Sequence, residues 1–200
     1  LLNSANFGES WSDVILESLV KGVTRQGVAI KTDVLQVPKM TSLAEAQAKC
    51  DMLLEKYPEP PRAVIFIGDP GWLVTRPLFD GEWKDIPTLI LYSRSRMPAR
   101  TEDLLSGNLN ERTMFPAEQV TEGYNVTVLR QPSYVRETVM AMQQLLPRMQ
   151  RVAFISDHRY ISLRVREEVE KTLREDFPEL KLELLSTPEL STEQLLDRLA

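Results

Sequence analysis

One cysteine and one histidine stand among 200 residues, and that scarcity removes whole classes of chemistry. Cys50 has no partner for an intrachain disulfide, and a zinc site of the Cys/His type is excluded. Glycine is sparse, at 8 residues, and is nowhere gathered into a phosphate-cradling loop. P-loop and dinucleotide binding therefore have no support. No run of about 18 apolar residues is present to cross a bilayer. Positive charge is in deficit: 24 Lys and Arg against 29 Asp and Glu leave a net charge of −5. That balance argues against a nucleic-acid or anionic-membrane surface. The chain opens at Leu1, not Met, with Leu1-Leu2-Asn3-Ser4 reading as the tail of a strand. Both ends read as cuts from a longer protein, so the lack of a targeting segment decides nothing.

What is present is a soluble, globular balance of 42% hydrophobic and 26% charged residues, with length enough for one large or two small domains. Two apolar runs end abruptly in a small residue and an aspartate: Ala63-Val64-Ile65-Phe66-Ile67-Gly68-Asp69 and Val152-Ala153-Phe154-Ile155-Ser156-Asp157. Each is too short for a buried helix and rich in β-branched or aromatic residues, which predicts an interior strand covered on both faces. In open α/β sheets ligands gather where such strands give way to loops, so the two Asp-bearing loops are the first candidate sites.

The remainder reads as β and α in alternation. Apolar residues at Trp11, Val14, Ile15, Leu19, Val20 and Val23 predict a helix over about 11–26, ended by Gly27. A strand is expected over 28–35. Ser42-Leu43-Ala44-Glu45 has capping-box spacing and opens a helix to about Tyr57, stopped by Pro58, Pro60 and Pro61. A short helical or irregular segment carries Trp72 to Trp83, strands follow at 88–92 and 124–129, and residues 97–122 show no clear period. Helices are expected at 133–146, 161–176 and from Ser191 onward, with a strand at 180–185. The 161–176 helix carries Arg166/Glu170-type pairs on its wet face and reads as a solvated outer helix. The fold expected is α/β: two Rossmann-like, three-layer α/β/α lobes with parallel sheets. Residues 1–122 are expected to form the first lobe, 123–150 a crossover strand and helix, and 151–200 the start of a second, unfinished lobe.

Four loops hold the candidate ligand residues. Ser4, Asn6, Glu9 and Trp11 lie between a strand end and a helix N-terminus, where free backbone N–H groups favour a polar or anionic group. The competing reading is a capped turn with Trp11 in the core. Asp69 could bind an amine or hydroxyl with Trp72 stacked beside it, or the two could be a cap and a packing residue. Ser93 and Arg94 follow a buried strand, where Arg94 or Arg96 could clamp a carboxylate or both could simply be solvated. Asp157, His158 and Tyr160 share the loop after the second run. No cofactor and no metal is indicated. Cys50 reads as a helix-packing residue, and Asn125-Val126-Thr127 matches a glycosylation acceptor on a strand.

Several passages together resemble a known family. Leu2-Asn3-Ser4 with a polar loop and Ser10-Trp11-Ser12, then Pro61 to Asp69, Ile86-Pro87-Thr88-Leu89, and Leu145-Leu146-Pro147 leading into Val152 to Asp157 are similar to the periplasmic-binding-protein-like sensor domains of bacterial membrane histidine kinases. Those domains are related to the type I substrate-binding proteins of ABC transporters. The resemblance implies an extracytoplasmic domain of a membrane-anchored, two-component sensor kinase. It would bind a small molecule between two lobes and signal by closure, without catalysis of its own, in a monomer or a homodimer. The Ala5-Asn6-Phe7 segment departs from the family's usual aromatic after the serine. A free solute-binding protein of an ABC importer, a small-substrate α/β enzyme using Asp69, Asp157 and His158, and a sensor module without ligand remain as alternatives.

Overall fold

The computed structural model describes residues 1–4, 10–110, 112–157, 160–187 and 189–199, with residues 10, 11 and 199 described by backbone alone. The chain divides into two compact units, Leu1–Gln131 and Pro132–Ala200.

In the first unit the order is β1 (Leu2–Asn3), α1 (Ser10–Arg25), β2 (Asp33–Val34), a 3-10 turn at Val37–Lys39, α2 (Leu43–Lys56), β3 (Val64–Ile67) and α3 (Asp69–Asp80). Then come β4 (Thr88–Ser93), β5 (Arg96–Pro98), α4 (Thr101–Ser106), β6 (Met114–Pro116), α5 (Ala117–Val120) and β7 (Val126–Arg130). Five strands form one parallel sheet in the order β2-β1-β3-β4-β7. The chain thus moves outward from β1 to β2, returns to the other side of β1 with β3, and continues in that direction.

That reversal decides which face each helix covers, because parallel crossovers are right-handed. α1, which joins β1 to β2, lies on one face. There the Asn3 amide donates to Ser12 Oγ at 3.3 Å. α2, α3 and α4 share the other face and touch one another. On that side Phe66 meets Phe79 edge to face at 6.0 Å, and Phe79 meets Trp83 at 5.8 Å. Leu2, Phe66 and Ile90 occupy one row of the register on this side and are fully buried. On the α1 side Ile65, Leu89 and Leu91 are only half-buried and Leu129 is exposed. The hydrophobic stabilisation of this unit is therefore concentrated under α3.

Of the two readings of the Trp72–Trp83 segment, helical or irregular, the helical one is found: α3 begins at Asp69 and continues across Pro77 to Asp80. A proline within a helix lacks the N–H that would bond the carbonyl four residues back, here that of Leu73. The Thr101 hydroxyl donates to that carbonyl instead, at 2.9 Å. Ser42 caps α2 as the spacing predicts: the Glu45 N–H donates to Ser42 Oγ at 3.3 Å, while the Glu45 carboxylate reaches one residue past the cap and accepts from the Thr41 N–H at 2.6 Å. The strand expected over 28–35 shrinks to Asp33–Val34, and Val28 is 55% exposed. The aperiodic region 97–122 holds the antiparallel β5–β6 ribbon, anchored by the fully buried Met97 and Met114. Its strands are too short to display a period.

The second unit comprises α6 (Val135–Leu145), β8 (Arg151–Ser156), α7 (Tyr160–Asp176), β9 (Lys181–Ser186) and α8 (Thr192–Leu199). β8 and β9 pair in parallel through six residues. Val139, Val152, Val169, Leu173, Phe177 and Leu180 form its core, with Phe154 and Leu182 against them. The expectation that the 152–155 strand is covered on both faces is corrected here. Val152 is buried, but Ala153 and Ile155 are exposed, because the helices packed on this core cover only one side of β8. α7 is likewise more than a solvated helix: Arg164 is 3% exposed and is ion-paired with Glu167. Ser191 and Gln194 exchange cap bonds, the Gln194 N–H donating at 3.2 Å and the Gln194 amide oxygen accepting at 2.9 Å from the Ser191 N–H.

The expected 123–150 crossover is shared out. β7 completes the first sheet, and α6 joins the second core.

Candidate functional site

A parallel sheet whose order reverses at β1 opens a crevice at the carboxyl ends of β1 and β3, since the loops leaving those two strands run to opposite faces. The residues there are Asn3 and Ser4 after β1, and Gly68 and Asp69 after β3. Ser4 and Gly68 tie the two loops together. The Ser4 N–H donates to the Ile67 carbonyl at 3.1 Å and the Gly68 N–H to that of Leu91 at 2.9 Å. The Ser4 hydroxyl donates to the Gly68 carbonyl at 2.8 Å and accepts from the Gly71 N–H at 2.8 Å.

Ser4 therefore acts as a clasp between the end of β1 and the first turn of α3. Its hydroxyl is only 6% exposed by residue, and both its donor and its acceptor capacity are engaged. The glycines around it follow from this closeness. Gly68 has φ +89, a left-handed backbone that glycine adopts without steric cost. A Cβ on Gly71 would fall 2.5 Å from Ser4 Oγ, 3.0 Å from Leu35 Cδ1 and 3.1 Å from Phe66 Cδ1.

Asp69 is the first residue of α3 and 2% exposed. A carboxylate at this end complements the partial positive charge of the helix N-terminus. Asp69 is thus a helix-end group at the crevice as well as a candidate contact. Trp72 belongs to the core: it is 0% exposed and stands edge-on to Tyr124 at 5.4 Å. Its packing reading holds, and the ligand-stacking reading is corrected. Burial, followed by the hydrogen bond to Asp80, pushes the Tyr124 hydroxyl above its ordinary pKa.

Ser93 and Arg94 lie at the end of β4, which neighbours β3. Ser93 is fully buried, its hydroxyl donating to the Arg94 carbonyl at 3.1 Å and its own carbonyl accepting from the Gln131 N–H at 2.8 Å. Arg94 is 8% exposed, so it is a built part of the edge and not a solvated loop arginine. Of the first-loop residues, Asn6 and Glu9 fall outside the described residues, as does the side chain of Trp11. In the second unit Asp157 follows β8 and Tyr160 begins α7, both half-buried, while His158 also falls outside the described residues.

Two residues at the same edge escaped the sequence reading. Gln36, after β2, has φ +56, and Tyr92, near the end of β4, has φ +59. Such left-handed backbone costs a non-glycine residue on the order of 1–3 kcal/mol and concentrates at functional sites. Tyr92 sits where the β4–β7 register shifts, between Ile90 and Ser93, and remains 38% exposed. The only sequence signal for it is an aromatic at a strand end followed by Ser93-Arg94-Ser95-Arg96. A separate hollow of about 590 Å³ in the second unit is lined by Leu145 to Arg151. It opens at the start of β8, the opposite end from Asp157, and holds none of the candidate residues.

Among the described residues no group of three potential metal ligands gathers, and no helix is long and apolar enough to cross a membrane. No protein-family model matches the sequence, and no curated protein does. Among solved structures the chain is similar to a protein of Bacteroides fragilis assigned as a LacI transcriptional regulator. The TM-score is 0.59 and the identity 14%, over 99% of this chain and 63% of the other. The chain thus spans less than two thirds of that neighbour's length. The likeness is one of fold: an α/β chain with parallel sheets.

Proposed function

We propose that this chain is a ligand-sensing domain, binding a small molecule at the carboxyl edge of the first sheet and reporting it to an output elsewhere in a longer protein. The observation that carries this reading is the order reversal at β1, with Ser4, Asp69, Ser93 and Arg94 built into the edge beside it. Strained Gln36 and Tyr92 on the same edge support it. The domain itself is read as non-catalytic. Differential affinity of the ligand for two conformations would supply the signal. In the finer reading the output is a histidine kinase and the domain is extracytoplasmic, as the resemblance of the sequence implies. The solved neighbour favours a second output, transcriptional regulation, in which case DNA contact would have to come from outside this acidic chain.

A thermal-shift screen of pentoses, hexoses, amino acids and nucleosides tests the proposal. A true ligand at 100 times its Kd adds about 2.7 kcal/mol. Asp69→Asn, which keeps the size of the helix-end group and removes its charge, should then weaken binding by tenfold or more. Binding unaffected by Asp69→Asn and by Arg94→Gln would remove the site from this edge.

A further inference from the structure

The hollow of about 590 Å³ at the start of β8 joins exposed apolar side chains to positive charge that no acid of this unit answers. Leu145 and Leu146, at the end of α6, are 81% and 59% exposed. Met149, half-buried and packed against the core of this unit, lines the same hollow. Large apolar side chains gathered at one exposed place mark an interaction surface, as singly scattered ones do not. Arg148 and Arg151 line the hollow too, both exposed, and none of its lining residues is acidic. Arg151 is the register partner of Lys181 on β9, also exposed, so two positive side chains stand side by side on one face of the sheet. Such neighbours repel. Among the described residues none of these three bases has an acidic partner. Glu179 and Glu183, on either side of Lys181, are engaged elsewhere. Glu179 accepts from the Gln143 amide at 3.1 Å, and Glu183 faces Arg198 at 3.7 Å. This gathering of bases stands in a chain whose acids outnumber its bases, 29 to 24.

We infer that the hollow is a docking site for a linear segment of a partner protein, one that carries large apolar side chains with carboxylates beside them. Leu145, Leu146 and Met149 receive the apolar side chains, and Arg148, Arg151 and Lys181 receive the carboxylates. Charge complementarity selects the occupant: an acidic segment relieves the repulsion between Arg151 and Lys181, which a neutral or basic one cannot do. Arg148 taken alone has a simpler account, since a base just past the end of α6 complements the helix macrodipole. That account leaves the exposed leucines and the Arg151–Lys181 pair unexplained. An anionic bilayer fits less well, because the apolar surface is concave and the chain as a whole is negative. The hollow lies at the opposite end of β8 from Asp157, so its occupant does not depend on a ligand at the carboxyl edges of the strands.

A library of random linear peptides displayed on phage, selected on the immobilised 200-residue chain, tests the inference. The peptides recovered are expected to combine Leu, Ile, Phe or Met with Asp or Glu. Their affinity, read by fluorescence polarisation on labelled synthetic copies, should fall as salt rises from about 50 to about 500 mM. Leu145→Ser/Leu146→Ser and Arg148→Glu/Arg151→Glu should each weaken binding by about tenfold or more, as removal of an anchor or of a close charge pair does. Arg151→Glu also sets opposite charges beside each other in place of like ones, so it should keep or raise the urea midpoint while binding falls. That combination separates loss of the site from loss of the fold. Any of these results would overturn the inference: no recovered peptide binding more tightly than about 1 mM; recovered peptides without an excess of acidic residues; binding unchanged in either double variant; or sedimentation of the chain with phosphatidylserine vesicles through Leu145 and Leu146, which would assign the surface to a membrane.

Discussion

Single side chains in the first unit show how closely its loops are fitted. Cys50 is 1% exposed and donates its thiol to the Val74 carbonyl at 3.4 Å, and burial pushes its pKa up to about 11. The thiolate is the reactive form, so at pH 8 the folded chain should resist iodoacetamide and become labelled only on unfolding; mass spectrometry with and without denaturant checks this. Gly71 tests the Ser4 clasp. Gly71→Ala drives a methyl group against the Ser4 hydroxyl and the buried Leu35 and Phe66. It should cost about 1–3 kcal/mol, as overpacking does, seen as a lower denaturation midpoint with an unchanged slope. An unaltered midpoint would mean that the turn is looser than its hydrogen bonds indicate.

Among the elements, α3 depends on a repair supplied from outside it. Pro77 removes the donor for the Leu73 carbonyl, and Thr101 at the start of α4 replaces it. Thr101→Val keeps the shape and leaves a buried carbonyl unsatisfied, a loss of about 1–3 kcal/mol. In the Pro77→Ala background an N–H becomes available to Leu73, so the same substitution should cost less. Thermal or urea unfolding of the four variants measures that coupling. α4 also carries a pH dependence. Asp103 accepts from Arg100 at 3.0 and 3.2 Å and from Asn108 at 3.3 Å. The Arg100 hydrogen bonds hold its carboxyl below the ordinary range. A depressed carboxyl contributes stability above its unfolded-state pKa and loses it as pH falls through the native one. Relative to Asp103→Asn, the wild type should therefore be more stable at pH 7, with the advantage fading in acid.

For the whole molecule, the division at Gln131/Pro132 leaves the first unit with its complete five-stranded sheet and its own core. A chain of residues 1–131 should therefore fold alone, melt cooperatively and keep Cys50 protected from alkylation. Loss of that protection would show that the core under α3 depends on the second unit. The second unit is thinner, a two-stranded sheet with Ala153 and Ile155 open on one side. If sensing is the function, the first unit brings most of the described candidate residues, Ser4, Asp69, Ser93 and Arg94 among them, and the second brings Asp157 and Tyr160.

Alternating strands and helices and the two caps at Ser42 and Ser191 were determined by the sequence alone, because they depend on side chains within a few positions of one another; parallel pairing followed from the alternation, since a crossover helix returns the chain to run in the same direction. The Asp-ended strands were legible for the same reason: an apolar run followed by a turn is a local pattern. The tertiary structure decided what lies beyond that reach. It turned Trp72 from a candidate stacking surface into core, because α3 is enclosed between the sheet and its neighbouring helices. It restored a helix across Pro77 through a hydroxyl 24 residues away in sequence. It placed the order reversal beside β1, which no local pattern encodes, and with it the edge where Ser4, Asp69 and Arg94 are assembled. Burial and hydrogen-bond satisfaction are properties of the assembled chain, which is why the Ser4 clasp, the helix-end Asp69 and the buried Trp72 could not be told apart from loop residues before the fold was known.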